Sequence, residues 1–201
     1  MSTGTIIGVV VVVLVVVAAI AVLSRFFLQR KRLRTKFGPE YERALARNDN
    51  RMAAERELVE REREHSKLEL RPLTPVTRES YARNWTRIQE QFVDAPSTAV
   101  TQADRLVTDL MAERGYPTEG YERQASLLSV EHADTLDHYH EAHAISERQG
   151  RGKASTEDLR TAMVHYRTLF QDLLEDGSKG GAEGRAADRA ADHRTRTEGA
   201  R

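Results

Sequence analysis

An unbroken apolar run from Ile6 to Leu23 constrains this chain more than any other feature. It reads IIGVVVVVLVVVAAIAVL, and no charged side chain precedes it. Arg25, Arg30, Lys31, Arg32, Arg34 and Lys36 follow within a dozen residues, with no acid among them. Eighteen helical residues rising ~1.5 Å each span about 27 Å, close to the hydrocarbon thickness of a bilayer. Valine is a poor helix former in water, but in lipid an isolated segment can satisfy its backbone only as a helix. The expectation is a transmembrane anchor over residues 1–24, touching membrane lipid through residues 6–23, and a basic juxtamembrane segment over 25–39. A cleaved signal peptide competes with it, because Ala19-Ile20-Ala21 has the small-x-small form of a cleavage site. Against that, the segment before the run lacks Lys or Arg, and exporting the six cations would oppose the positive-inside rule. The expected topology is therefore single-pass, with the N-terminus outside and the C-terminal bulk cytoplasmic. An extracellular or secreted protein of reverse topology is the alternative.

The chain holds no cysteine, which removes disulfides, thiolate nucleophiles and Cys-ligated zinc or iron–sulfur centres. Its formal net charge is zero, so no global basic field points to nucleic acid. That zero conceals segregation. Residues 73–175 carry 17 acidic against 11 basic side chains, about −6 net, below a basic collar at 25–36.

Gly38-Pro39 separates the anchor from a Glu/Arg-rich stretch, 40–71, that reads as one charged spacer helix. Pairs such as Glu57/Arg61 and Arg56/Glu60 stand at helical neighbour spacing. Its apolar stripe is thin, with Leu45, Met52 and Val59 seven residues apart, short of a full coiled-coil seam. Arg71-Pro72-Leu73-Thr74-Pro75 opens a small helical bundle over 72–175, with Thr74 and Pro75 as an N-terminal signal. Tyr81, Trp85, Ile88 and Phe92 fall on one helical face, as core or as a partner groove. Further helices are expected near 97–114, closed by Gly115, near 118–128, from Ser129 or Glu131 to Gln149, and over 156–175 after the Ser155–Asp158 capping signature. Residues 176–201 are Gly-, Ala-, Arg- and Asp-rich with almost no large apolar side chain, and read as a disordered tail. The fold class is all-α.

For chemistry the histidines stand out. His132, His138, His140 and His143 cluster in sequence, and HEAH at 140–143 is one residue short of the HExxH zinc-peptidase spacing. At about 100° per residue, His140 and His143 lie ~60° apart and can share a ligand, whereas His138 and His140 cannot. His165 could join them from the last helix. A di-iron bundle site needs Glu-x-x-His on two helices plus further Glu, and Asp137-x-x-His140 is a single weak imitation with no second copy. The opposing reading places His143 at the core boundary beside Leu136 and Tyr139, with the other histidines facing solvent. No phosphate loop, nucleophile elbow or paired-carboxylate signature is present, so no catalytic residue and no cofactor is expected.

FGPEYERAL (37–45), AERELVERERE (54–64), LRPLTP (70–75) and STEDLRTAMVHYRTLFQDLL (155–174) together resemble an uncharacterised actinobacterial family of single-pass membrane proteins, often labelled secreted or hypothetical. The resemblance covers Phe37 to Leu174. It implies an N-terminal hydrophobic segment and a helical C-terminal region, and no activity. The functional expectation is a membrane-anchored helical interaction or scaffold module, binding a protein partner or itself. The alternative is a metal- or small-molecule-binding helical domain using His140, His143 and His165.

Overall fold

The computed structural model describes residues 3–175, without the side chains of residues 3–11, 13, 15, 22 and 26. The tail expected over 176–201 lies outside the described residues. Within them the chain is all-α, with no strand. Its helices are α1 (Thr3–Phe37), α2 (Pro39–Arg47), α3 (Arg51–His65), α4 (Pro75–Gln91), α5 (Pro96–Arg114), α6 (Tyr121–Leu128), α7 (Ala133–Gly150) and α8 (156–175). Two compact units divide at Glu60, within α3.

In the first unit, α1 runs for 35 residues through both the apolar stretch and the basic cluster. Every described large apolar side chain from Val12 and Leu14 to Phe27 and Leu28 is exposed. Among the residues whose side chains are described, no helix is long and apolar enough to cross a membrane. Nine of the eighteen residues of the 6–23 run stand outside that description. Arg25, Lys31, Arg32 and Arg34 are exposed, while Arg30 and Lys36 are half-buried.

The single spacer helix expected over 40–71 is corrected to two. The break falls at Asn48-Asp49-Asn50. Asn50 accepts a hydrogen bond from the Ala53 N–H at 2.9 Å and so starts α3. Asn48 donates to the Ala44 carbonyl at 2.9 Å and to Glu57 at 2.6 Å, and the Tyr41 hydroxyl donates to Glu55 at 2.9 Å. These bonds fold α3 back on α2, where an extended rod would leave both faces wet. The heptad stripe is corrected too: Met52 and Val59 are exposed. The buried residues of α3 are Ala54, Leu58, Arg61 and His65, at i, i+4, i+7 and i+11. Leu33, Phe37, Tyr41 and Ala44 are likewise buried. Glu40, also buried, is paired with Arg43 at 3.4 Å and Arg47 at 2.5 Å. A carboxylate taken out of water needs such partners.

The second unit holds the main core. Trp85 and Ile88 of α4 are buried in it, and Tyr81 and Phe92 pack against it half-buried, so the Tyr81–Phe92 face is core. Trp85 stacks on Phe170 of α8, with ring centroids 4.8 Å apart and planes 20° from parallel. Burying each such ring contributes about 1.5–3 kcal/mol before entropy. α4 pairs with α5, and α7 packs on both α5 and α6.

Local caps set the helix ends. Thr74 accepts from the Thr77 N–H at 3.1 Å, with Pro75 at the first helical position. Gly115 takes φ +94°, and Tyr116 N–H reaches the Met111 carbonyl at 2.9 Å while Gly115 N–H reaches that of Ala112 at 3.0 Å, the two bonds of a Schellman end. Ser155 and Asp158 cap α8 reciprocally: Asp158 N–H donates to Ser155 Oγ at 3.1 Å, and Ser155 N–H to the Asp158 carboxylate at 2.8 Å. At the other end of α8, Arg114 donates to the Leu173 carbonyl at 2.7 Å and Arg78 to that of Leu174 at 3.1 Å.

Candidate functional site

Helix α7 and its N-cap residue His132 carry the chain's histidine cluster, and α6 and α8 receive it. The helical pattern of α7 buries Leu136, Tyr139, Ala142 and Ile145 at i, i+3, i+6 and i+9. The histidines therefore fall on the shoulders of that buried stripe, where a half-wet imidazole can meet a neighbouring helix.

On the α6 side, Tyr121 takes two of them. Its ring lies flat on His143, centroids 3.7 Å apart and planes within 6°. Its hydroxyl is hydrogen-bonded to His140 Nδ1. Tyr139 completes this aromatic group, its ring tilted against Tyr121 at 5.3 Å and its hydroxyl donating to Gln124 at 2.9 Å. Burial pushes the Tyr139 phenol far above its ordinary range, reinforced by the charge of Asp104. His140 and His143 do share one side of the helix, as their spacing predicts. What they share is a tyrosine, with His143 also 3.9 Å from Glu147.

On the α8 side, His165 meets His138 and not His140 or His143. The two Nδ1 atoms stand 2.7 Å apart, with ring centroids at 5.0 Å. Both side chains are half-buried. Burial first, and then the facing His138, hold the His165 imidazole below its ordinary value of 6.5, with Glu141 acting in the opposite sense. The expected grouping of His140, His143 and His165 is thus divided between two helix contacts. Among the described residues no group of three or more His, Asp or Glu is arranged to hold a metal ion.

The N-terminal end of α7 holds a third arrangement. His132 is 2 % exposed, and its Nδ1 is 2.7 Å from Asp172 of α8. The Thr135 hydroxyl donates to the same carboxylate oxygen at 2.8 Å. A carboxylate so placed fixes the tautomer and the angle of the imidazole. Tyr116 lies between His132 and His65, at ring-centroid distances of 6.1 and 6.0 Å. His65 is 3.8 Å from Glu131, and Arg61 donates to Ser129 Oγ at 3.3 Å. The expectation that histidines other than His143 face solvent is corrected: His132 is buried, and His138 and His140 are half-buried. Sequence reasoning missed Arg61, Tyr116, Ser129 and Asp172. Their only signal was the placement of Arg61 and His65 on the Ala54–Leu58 face of α3. This group joins residues 61–65 of α3, the 129–132 turn and α8 in one polar network, which is a structural role.

No protein-family model, curated protein or solved structure matches this chain.

Proposed function

We propose that the chain is a single-pass membrane-anchored helical interaction module, its N-terminus outside and its α4–α8 unit on the cytoplasmic side. The observation that carries this reading is the apolar run Ile6–Leu23 followed at once by six cations. Each Val, Leu or Ile at the centre of such a segment favours insertion by roughly 0.3–0.6 kcal/mol. The exposure of the described large apolar side chains Val12, Leu14, Val16, Val17, Ile20, Leu23, Phe27 and Leu28 supports it. Arg25, Arg30, Lys31, Arg32, Arg34 and Lys36 then sit at the headgroups, where an anionic leaflet attracts each by about 1 kcal/mol. The acidic α4–α8 unit presents a protein-binding surface to a partner or to a second copy, and no catalytic step is assigned to it.

Fractionation tests the anchor: the full-length chain is expected to stay with membranes through alkaline carbonate and to leave them only with detergent. Recovery of the intact chain in the aqueous fraction removes the proposal. A C-terminal reporter fusion decides topology, cytoplasmic activity supporting it and external activity giving the reverse orientation.

A further inference from the structure

We propose that His138 of α7 and His165 of α8 form a binding site for a late first-row divalent metal ion such as Zn2+. The argument rests on where the donor atoms point. Two Nδ1 atoms at 2.7 Å face one another, so the lone pairs of both rings converge on a single place between α7 and α8. One proton occupies that place when the pair is hydrogen-bonded, since one imidazole donates and the other accepts. A metal ion that prefers imidazole nitrogen can take the proton's position.

Two nitrogens bound to tetrahedral Zn2+ at ~2.05 Å each are about 3.3 Å apart, so the rings must separate by roughly 0.6 Å and each turn by about 35° to bring their lone pairs from head-on to the tetrahedral angle. Both side chains are half-buried, which leaves them room to tilt and leaves water access to the remaining coordination positions. Charge favours a cation there. Glu141 follows His138 by three residues on α7, and its negative charge acts on His165. Burial disfavours the imidazolium form of His165, which keeps it in the neutral state that ligates. With two protein donors the site is a water-completed one of moderate affinity, consistent with the lack of any three-residue cluster among the described residues. His140 and His143 are excluded from it by their contacts with Tyr121.

The test is a Zn2+ titration of the full-length chain in detergent micelles, followed by calorimetry and by the imidazole resonances in two-dimensional NMR. One ion per chain is expected, with the largest shifts at His138 and His165. His138→Ala and His165→Ala should each weaken binding by about tenfold or more, while His140→Ala and His143→Ala leave it unchanged. His138→Gln and His165→Gln keep the side-chain bulk and a polar atom, and are expected to lose the ion while circular dichroism stays that of the parent. Absence of saturable binding overturns the proposal. So does binding that survives the His138→Gln/His165→Gln double variant, or that fails only when His140 or His143 is replaced.

Discussion

Arg114, at the end of α5, reaches across the core to place its Nη1 2.7 Å from the carbonyl oxygen of Leu173, in the last turn of α8. The side chain is almost wholly buried, and its cation meets the negative end of the helix dipole. Arg78 makes the same kind of contact one residue further on, at Leu174, from a half-exposed position. Arg114→Met keeps much of the volume but leaves the Leu173 carbonyl without this donor, and is expected to cost roughly 2–3 kcal/mol. Arg78→Ala, partly solvated, should cost less than about 1 kcal/mol. Trp85 is the only tryptophan and stacks on Phe170 of α8, so its fluorescence during urea unfolding reads α8 docking directly. Equal effects of the two substitutions would contradict this ranking.

Gly115 supplies a second test at the same end of α5. Its φ is +94°, and a Cβ there would meet the Glu69 carbonyl oxygen at 2.5 Å, a backbone atom that cannot swing away. Gly152 also has positive φ, at +67°, but has nothing within 4 Å. Both alanine substitutions incur the left-handed penalty of about 1–2 kcal/mol. Gly115→Ala adds the collision with Glu69, and should exceed Gly152→Ala in loss of unfolding free energy by at least about 1 kcal/mol. The same urea transitions measure it.

Those caps were legible in the sequence because each is a local device. Thr74-Pro75, Gly115 and Ser155 with Asp158 act over three or four residues, and the structure uses all of them. The Tyr81–Phe92 periodicity was legible for the same reason, since one helix records its own buried face. The break at 48–50 was written in three consecutive Asn and Asp residues, which favour caps over helix interiors. The charge pairing on either side continues in helical register and masks it. The buried face of α3 was hidden by its composition: Arg61 and His65 continue the Ala54–Leu58 stripe, and a search for apolar periodicity passes over them. Spacing along α7 correctly paired His140 with His143. It could not show that Tyr121 covers them or that His165 joins His138, because those contacts close 19 to 27 residues of chain.

The capping box of α8 predicts a pH dependence. Hydrogen bonds from the Ser155 hydroxyl and backbone N–H hold the Asp158 carboxyl below its ordinary value of 3.8, with Arg148 adding in the same sense. A carboxyl whose folded value is depressed contributes stability that is complete above the unfolded value and is lost as pH falls through the folded one. Ser155→Ala is therefore expected to destabilise the chain near neutrality. The difference from the parent should shrink as pH drops below 3.8. Urea transitions at a series of acid pH values check this, and a difference that stays constant through that range would show that the hydroxyl acts without the carboxylate.

His165 gives the opposite charge type with the same direction. Burial, and then the facing His138, hold its folded value below 6.5, so the folded chain binds fewer protons there than the unfolded chain does. Its contribution is thus fully present above 6.5 and is lost as pH falls through the lower folded value. In chelator-treated buffer, the parent should lose stability relative to His165→Gln as pH is lowered from about 7.5 toward 5, because glutamine does not titrate. The other histidines are common to both chains, so the comparison isolates the change at position 165. The measurement is the difference between the two unfolding free energies against pH. A slope of zero would mean that neither burial nor the facing His138 disfavours the imidazolium at position 165.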